Sequence, residues 1–338
     1  MKGVVILGPG EVEIQEMEKP QLTPGNAILR LLYGGICGSD LGSYKGTFLY
    51  AKYPLIPGHE FSAEIVEVGE NAYGLKPGMI VTGNPYYNCG HCYSCKRGMV
   101  NCCDANETLG CQRDGVFREY FSMPVERIYD GKGISAKELA VVEPFCIGYH
   151  AVKRSRISSK DKVLVVGAGT IGHLAALGAK LMGAEVYISD VSQTKLDMAK
   201  NIGVAGTILN TGDEHFKNKT DEITGGNGFD VCIEAVGLPS TFMNCIEAAA
   251  FRGRVVIVGV SKQSADFFHT IIQKKELDIY GSRNALKEDF LETIDLLHQG
   301  KINLKHVVSK EYSFLNADKA FYEMATKGGE LLKLALRF

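Results

Sequence analysis

A cluster of four cysteines in one short loop is a strong chemical signal in the sequence. Cys89, Cys92, Cys95 and Cys103 follow one another at offsets of 3, 3 and 8 residues. Four thiolates in so short a segment can close a tetrahedral shell around zinc, and such a shell leaves no position for a substrate. The spacing therefore predicts a structural zinc. An iron–sulfur cluster, a redox pair of thiols or a coincidence are the alternatives, and the neighbouring Cys102 could replace Cys103.

A second set of potential metal ligands is divided between separate segments. Cys37 lies in the segment Gly-Ile-Cys-Gly-Ser-Asp, and 22 residues later His59 and Glu60 follow a Pro-Gly pair. A thiolate, an imidazole and one carboxylate make a three-ligand shell, which leaves the fourth position of a zinc ion open. Glu143, on an otherwise apolar stretch, is a second candidate carboxylate. Taken alone, these residues could equally be buried core residues and a surface acid.

A glycine-rich turn carries the pattern of a dinucleotide-binding site. Gly167, Gly169 and Gly172 form Gly-x-Gly-x-x-Gly between an apolar run at 163–166 and a helical segment. In that context the glycines permit a tight turn, close approach of a pyrophosphate and close packing of helix on strand. Asp190 ends the next predicted strand, where an acid accepts hydrogen bonds from a ribose and repels a 2′-phosphate. The pattern predicts NAD; simple packing and helix capping are the alternatives.

The elements that must position these residues fall into two regions. The first is rich in short apolar strands and Pro-Gly turns, which is typical of β structure. From residue 162, six short apolar runs alternate with helix-length segments and predict a doubly wound parallel sheet. Helices at 287–299 and 317–326 and an edge strand at 331–336 follow, and we expect them to fold back onto the first region. The predicted domains are 1–150 with 287–338, and 151–286.

The composition is that of a globular protein and argues against several functions. A length of 338 residues suggests two domains, and a net charge of −2 argues against a nucleic-acid or polybasic membrane surface. The best apolar stretch, 163–179, contains four glycines and falls short of the roughly 20 residues that a membrane span needs. The N-terminus is too acidic for a signal peptide. We therefore expect a cytoplasmic protein whose ten cysteines are not disulfides by default.

Four motifs occur in the order found in the zinc-containing medium-chain alcohol/polyol dehydrogenases. They are Gly-Ile-Cys-Gly-Ser-Asp, Gly-His-Glu followed by a Val-Gly turn, the four-cysteine loop and Gly-Ala-Gly-x-Ile-Gly. The sequence resembles this family over essentially its whole length. The resemblance implies an α/β protein with a GroES-like β catalytic domain and an inserted Rossmann domain. It also implies one catalytic and one structural Zn²⁺, NAD as cofactor, and a homodimer or homotetramer.

The same resemblance assigns roles to the residues of the second ligand set. Cys37 and His59 resemble the catalytic zinc ligands, and Glu60 resembles the third protein ligand of the polyol branch. Glu143 resembles the carboxylate that binds the zinc or its water, so either carboxylate could complete the shell. Ser39 resembles the hydroxyl that relays the alcohol proton.

The resemblance also extends the site beyond the metal. Asp40 resembles the acid that orients the metal-binding histidine, with a turn cap as its alternative role. Tyr44 and Phe48 are expected to line the substrate pocket, or else to pack as ordinary loop residues. The ends of the parallel strands should hold the nicotinamide half of the cofactor, because ligands bind there in doubly wound sheets. The predicted cofactor-binding residues are Gly167, Gly169, Thr170, Ile171, Gly172, Asp190, Lys195, Val236, Val258, Gly259, Ser282 and Arg283.

The expected reaction is zinc-dependent oxidation of a secondary hydroxyl in a small polyol or sugar acid. The run Gly-Ser-Arg-Asn-Ala at 281–285 resembles that of bacterial hexonate dehydrogenases of the L-galactonate type. Arg283 could hold a terminal carboxylate by a bidentate pair, or contact the cofactor or the surface instead. Sorbitol, butanediol and L-threonine are alternative substrates. A zinc-free quinone reductase would lack the cysteines, and a non-catalytic relative would be expected to lose a ligand.

Overall fold

A computed structural model describes residues 1–338. The strands are β1 (Lys2–Gly8), β2 (Glu11–Glu16), β3 (Asn26–Gly35), β4 (Glu60–Val68), β5 (Ile80–Gly83), β6 (Tyr86–Tyr87), β7 (Glu107–Thr108), β8 (Tyr120–Pro124), β9 (Ile128–Asp130), β10 (Lys162–Val166), β11 (Glu185–Asp190), β12 (Gly206–Leu209), β13 (Phe229–Glu234), β14 (Ala249–Ile257), β15 (Asp278–Gly281), β16 (Val308–Ser313) and β17 (Lys333–Arg337). The α-helices are α1 (Gly38–Tyr44), α2 (Tyr93–Lys96), α3 (Ala136–Leu139), α4 (Val142–Ser155), α5 (Thr170–Leu181), α6 (Gln193–Asn201), α7 (Asp213–Thr224), α8 (Pro239–Ala248), α9 (Thr270–Lys275), α10 (Lys287–His298) and α11 (Ala317–Lys327). Single 3-10 turns lie at Val100–Cys102, Val125–Arg127 and Phe314–Asn316. No helix is both long enough and apolar enough to span a membrane.

The chain forms two units, one of which is built from both ends of the sequence. Unit 1 consists of Met1–Glu143 and Ala285–Phe338, and unit 2 consists of Pro144–Asn284. The predicted boundaries lie after residues 150 and 286.

Unit 1 is organised around a seven-stranded sheet. Its order is β16-β17-β3-β4-β5-β9, and β8 also pairs with β3. Side chains of β3 and β4 are buried on both faces of the sheet over much of their length, which is why these strands read as nearly continuous apolar runs. The rings of Phe61 and Phe121 pack edge to face in this core, with centroids 5.2 Å apart. The central strands therefore give a rigid frame from which the loops of unit 1 project.

Unit 2 is the predicted doubly wound parallel sheet. All six strands are parallel, in the order β12-β11-β10-β13-β14-β15. Strand β10 (KVLVV) is buried almost throughout, as expected for the centre of a sheet covered by helices on both faces. The strand order reverses between β10 and β13, and ligands of such sheets bind at this reversal.

The prediction of an edge strand at 331–336 is wrong, because β17 lies inside its sheet. It pairs in parallel with β16 and antiparallel with β3. The edge position is taken by β16, whose sequence VSKEYS is largely polar and carries no apolar run that would predict a strand. Four of the five residues of β17 are buried, and one of them is Lys333. The return of the C-terminal segment to the first region, by contrast, is as expected.

Candidate functional site

The four cysteines of the loop 89–103 converge on one point. Their sulfur atoms all lie within 4.8 Å of one another. Backbone N–H groups donate to three of the sulfurs, from Cys89 to Cys103 at 3.3 Å, from Cys92 to Cys89 at 3.3 Å and from Cys95 to Cys92 at 3.5 Å. The exposed Cys102 is not part of the cluster. The loop therefore presents one closed shell of four thiols.

The ionisation of these thiols fits a bound divalent cation. The backbone N–H of Cys95 lowers the pKa of Cys92 to about 7, because it stabilises the thiolate. Desolvation raises the pKa of Cys95 to about 11, so a second thiolate does not form beside the first without compensating charge. Zinc supplies that charge and accepts a tetrahedral arrangement of sulfur. The donor set thus fits the predicted structural zinc.

A second group of metal-ligating atoms lies in unit 1. The ligand atoms of Cys37, His59 and Glu60 are within 4.8 Å of one another. Cys37 is the N-cap of α1, Glu60 is the first residue of β4, and His59 directly precedes that strand. Nδ1 of His59 and Oε2 of Glu60 are buried and have no hydrogen-bond partner. Since buried polar atoms are normally satisfied, the unsatisfied oxygen of Glu60 in this ligand cluster fits a site for zinc.

Asp40 joins the two segments that carry these ligands. Its fully buried carboxylate accepts the backbone N–H of Cys37 at 2.9 Å and that of Gly58 at 3.0 Å. The distance from its Oδ1 to Nδ1 of His59 is 3.9 Å, which is an ion-pair distance and too long for a hydrogen bond. The contacts therefore show Asp40 fixing the backbone on either side of the site. Its role in orienting His59 stays a prediction.

Lys333 is a charged residue of this site that sequence reasoning missed. Its buried ammonium group donates to Oε1 of Glu60 at 2.6 Å and to the carbonyl of Ile36 at 3.2 Å. Burial alone would lower the pKa of Lys333, but the surrounding acidic groups, Glu60 foremost, raise it. The carboxylate of Glu60 is thus held at one oxygen, while its other oxygen stays unpartnered.

The glutamate at position 60 also requires a small residue opposite it. A Cβ placed on Gly35 would come within 2.2 Å of Oε2 of Glu60. The two residues face each other across the antiparallel pair of β3 and β4. Any larger residue at position 35 would displace the carboxylate from its present position. Gly35 therefore belongs to the machinery that places Glu60.

Glu143 is the other buried carboxylate and has a different partner. It lies in the first turn of α4, and the hydroxyl of Tyr86 donates to its Oε1. Desolvation raises the pKa of Glu143 to about 7, and the nearby charge of His59 opposes this effect. Sequence reasoning predicted Glu143 but missed Tyr86.

The pKa of His59 reflects the same acidic surroundings. Burial alone would lower it, but the combined effect of Cys37 and Asp40 raises it well above its ordinary value. A divalent cation at this point would reverse the balance, because an imidazole binds a metal only in its neutral form.

Ser39 and the two aromatic residues predicted near the substrate lie in or beside α1. The side chain of Ser39 hydrogen-bonds the thiol of Cys111, a buried neighbour of the metal ligands that sequence reasoning missed. Tyr44 packs on Phe321 and lines a cavity of about 480 Å³, none of whose lining residues is a candidate metal ligand. Phe48 packs against the ring of Tyr50. For the two aromatic residues, a place in the substrate pocket stays a prediction beside the alternative of ordinary packing.

The glycine-rich turn of unit 2 has the geometry of a phosphate-binding loop. Gly169 is the N-cap of α5, so the free N–H groups of the first helical turn, which begins at Thr170 and Ile171, lie directly after it. A Cβ on Gly172 would lie 1.7 Å from the carbonyl oxygen of Gly167, so that only glycine allows this packing. The turn follows β10 at the point where the strand order reverses.

Asp190 ends β11 beside this turn. Its carboxylate accepts the backbone N–H of Ala168 at 2.7 Å and that of Ser192 at 2.8 Å. Both its predicted role toward a ribose and its alternative role as a cap are compatible with these bonds, since each carboxylate oxygen can accept more than one donor. Lys195 lies in the first turn of α6, three residues after the N-cap Ser192.

The remaining predicted cofactor residues lie at the carboxyl ends of the neighbouring strands. Val236 follows β13, where its N–H donates to the buried carboxylate of Glu234 at 2.9 Å. Val258 and Gly259 follow β14 in the same way, with N–H groups directed to the Glu234 carbonyl. Ser282 and Arg283 come directly after β15. These predicted positions therefore all lie at the carboxyl ends of the parallel strands of unit 2.

Comparison with protein families gives two matches. Residues 23–132 match the alcohol dehydrogenase GroES-like domain, and residues 170–299 match the zinc-binding dehydrogenase domain.

Characterised proteins are similar over nearly the whole chain. The chain is 34% identical to L-galactonate-5-dehydrogenase of Escherichia coli K12, covering 100% of this chain and 99% of the relative. It is 36% identical to sorbitol dehydrogenase of Halalkalibacterium halodurans, with 99% of each covered. It is 33% identical to L-threonine 3-dehydrogenase of Pyrococcus horikoshii, with 94% and 92% covered.

Among solved structures, an alcohol dehydrogenase from E. coli CFT073 complexed with NADH superposes with a TM-score of 0.92. It is 29% identical in sequence, and the match covers 100% of this chain and 99% of that one.

Proposed function

Because this chain belongs to the zinc-containing medium-chain alcohol/polyol dehydrogenase family, we propose that it oxidises a secondary hydroxyl of a polyol or sugar acid to the ketone, with NAD as acceptor. Family membership confirms the predicted fold class, the enzyme class and the cofactors of the class, zinc and NAD(H). The substrate, and the preference for NAD over NADP, are our proposal. The predicted homodimer or homotetramer stays a prediction.

The observation that carries the proposal is the pair of buried carboxylates beside Cys37 and His59. Glu60 contributes an unpartnered oxygen to the ligand cluster. Glu143 lies close enough for the charges of His59 and Glu60 to change its pKa. This composition resembles the polyol branch of the family rather than the branch that uses two thiolates. The relatives compared above are named for L-galactonate, sorbitol and L-threonine, each of which contains a secondary hydroxyl.

Cys37, His59 and Glu60 would hold the catalytic zinc, with Glu143 as the alternative carboxylate. The bound metal supplies Lewis-acid polarisation of the substrate oxygen, and NAD supplies the hydride acceptor. The hydroxyl of Ser39 would accept the proton of the substrate alcohol and release its own proton to the cofactor ribose, from which it passes to solvent. Without a metal, burial raises the pKa of Glu143 to about 7, and a bound divalent cation would favour its carboxylate form.

The cofactor half of the mechanism rests on unit 2. The N–H groups at the start of α5 would hold the pyrophosphate, and Asp190 would accept hydrogen bonds from the adenosine ribose. A 2′-phosphate at this carboxylate would place like charges together, so NADP is disfavoured. Val236, Val258 and Gly259 would hold the nicotinamide half at the carboxyl ends of the strands.

A screen of NAD reduction tests the substrate class. The zinc-loaded protein is assayed with aldonic acids, neutral polyols, 2,3-butanediol, L-threonine and short primary alcohols. We expect the highest kcat/KM with an aldonic acid or a polyol. Activity confined to primary alcohols would contradict the proposal, and a clear preference for L-threonine would favour the second candidate, L-threonine 3-dehydrogenase, whose amino-acid carboxylate also suits an arginine.

A variant of Arg283 separates acids from neutral substrates. If its guanidinium pairs with a substrate carboxylate, Arg283→Ala raises KM for acids at least about ten-fold more than for neutral polyols, since a charged hydrogen-bonded pair is lost. The exposed Arg252, which pairs with Glu276 on the surface of unit 2, provides the matched control Arg252→Ala. An equal rise of KM for acids and for neutral polyols in Arg283→Ala would show that Arg283 does not bind the substrate carboxylate.

A further inference from the structure

The two tyrosines of β6 have different surroundings although they are adjacent. The ring of Tyr86 is buried and packs against Phe290, and its hydroxyl donates to Oε1 of Glu143. The ring of Tyr87 lies instead under the guanidinium groups of Arg113 and Arg127, at 4.2 and 4.5 Å from its centroid. Only the first of the two hydroxyls therefore bonds a carboxylate of the candidate site.

The backbone that carries Tyr86 is fixed independently of Glu143. Strand β6 pairs with β7, and the side-chain amide of Asn84 accepts the N–H of Tyr86 at 2.9 Å. Arg127 donates to the carbonyl of Tyr86 and, at 3.0 Å, to the side chain of Asn88. Asn88 in turn donates to the sulfur of Cys95 at 3.8 Å, so the strand is tied to the four-cysteine loop. The hydroxyl is thus presented by a rigid support.

Each of the two glutamates of the site is held at one oxygen by a partner from elsewhere in the chain. Lys333 holds Oε1 of Glu60, and Tyr86 holds Oε1 of Glu143. A carboxylate near a metal site can rotate about its last bond and exchange its oxygens. A hydrogen bond to one oxygen stops this exchange and leaves the other oxygen in a defined place.

We propose that Tyr86 is a positioning residue for Glu143, which fixes one carboxylate oxygen so that the other is presented to the metal or to the group bound on it. This inference rests on the proposed function only in taking Glu143 as part of the catalytic site. It assigns a role to a residue that precedes the four-cysteine loop and that no spacing in the sequence relates to Glu143. It also connects the structural loop to the catalytic site through Arg127 and Asn88.

The matched pair Tyr86→Phe and Tyr87→Phe tests the proposal. Each variant removes one hydroxyl from the same strand and keeps its ring. The first readout is the rate at which zinc leaves the catalytic site to a chelator, measured on the holoenzyme without substrate. We expect Tyr86→Phe to release that zinc about ten-fold faster than wild type, the scale at which partners of metal-binding groups act. Tyr87→Phe should match wild type.

A spectroscopic readout reports the geometry directly. With Co²⁺ in place of zinc at the catalytic site, the visible absorption bands depend on the arrangement of the ligands. Tyr86→Phe should shift these bands, whereas Tyr87→Phe should leave them unchanged. If Tyr86→Phe only lowers the stability of the protein, its absorption bands and its zinc release rate will both equal those of wild type. That result would overturn the proposal.

A double-mutant cycle shows whether Tyr86 acts through Glu143. In the Glu143→Ala background, Tyr86→Phe should change neither the zinc release rate nor the kcat/KM further. Additive effects would overturn the proposal. If Tyr86→Phe does not fold, Glu143→Asp serves instead, because it keeps the charge but withdraws the carboxylate from the hydroxyl, and it should accelerate zinc release as well. Absence of turnover in wild type would contradict the proposed function while leaving the release and cobalt measurements decisive.

Discussion

Removal of the Lys333 ammonium group should destabilise unit 1 strongly when no metal is bound. Lys333→Met keeps the length of the side chain but leaves the carboxylate of Glu60 buried, with neither of its oxygens bonded. Loss of one partner from a buried ion pair costs about 3–5 kcal/mol. The carbonyl of Ile36 also loses a donor at 3.2 Å.

Protonation of Glu60 sets an upper limit on the loss of stability in Lys333→Met. The stranded carboxylate can take up a proton instead. An exposed glutamic acid has a pKa of about 4.3, and each pH unit above that value costs about 1.4 kcal/mol, so protonation at pH 7 costs about 4 kcal/mol. We therefore expect a loss of about 3–4 kcal/mol at pH 7. The loss should shrink as pH falls toward 5, because the proton then costs less and the folded variant holds it while the unfolded chain does not.

Hydrogen exchange resolved by peptide measures the loss in unit 1 separately from unit 2. A change of about 4 kcal/mol corresponds to an increase of roughly a thousand-fold in the opening equilibrium of core amides in β3, β4 and β17. Peptides from Pro144–Asn284 serve as the internal control and should not change. The double variant Lys333→Met/Glu60→Gln contains no stranded charge and should recover most of the loss. Exchange in the single variant within about two-fold of wild type, or no recovery in the double variant, would refute the reasoning.

Three further outcomes are expected. Cys37→Ala should lose one zinc and all turnover with little change in melting temperature. Cys95→Ala should lose the other zinc and have a lower melting temperature. An active, stable Cys37→Ala enzyme would contradict the assignment of Cys37 as a catalytic zinc ligand. Wild type should have a kcat/KM at least about a hundred-fold higher with NAD than with NADP, and Asp190→Ala should narrow this ratio by a factor of about ten or more. Burial raises the pKa of Glu143 to about 7 in the metal-free protein. As pH rises from about 4.5 to 7, the unfolded chain releases this proton before the folded protein does, so the free energy of unfolding should fall by up to about 3 kcal/mol. Glu143→Gln should abolish this pH dependence in a thermal-melting series.

Features that depend on nearby residues could be predicted from the sequence. The six strands of unit 2 appear as short apolar runs because a parallel sheet is buried on both faces. The four-cysteine loop could be recognised because all its ligands lie between residues 89 and 103, so their spacing alone limits how they can meet. The Gly-x-Gly-x-x-Gly turn is equally local, and Gly172 is required by a contact with Gly167 only five residues away.

Contacts between distant segments could not be predicted in this way. Lys333 and Glu60 are separated by 273 residues, and Tyr86 and Glu143 by 57. Neither pair has a characteristic spacing, because both depend on how the strands of unit 1 are ordered. The error over β17 has the same origin: with β16 hidden by its polar sequence, the last strand was expected at the edge, where a lysine would be solvated. In its actual place, the lysine must have a buried acidic partner.

The charges of the catalytic site explain why this lysine is needed. Cys37, Asp40, Glu60 and Glu143 can carry four negative charges when ionised, and Lys333 is the cation that hydrogen-bonds within the group. A zinc ion adds two positive charges, so three positive charges face four negative ones around the neutral imidazole that a metal requires. The remaining excess is one negative charge. Without Lys333 the imbalance would grow by one charge in a buried region, where uncompensated charge is most costly. The fixed ammonium group of β17 therefore reduces the excess negative charge of a carboxylate-rich centre proposed to hold zinc.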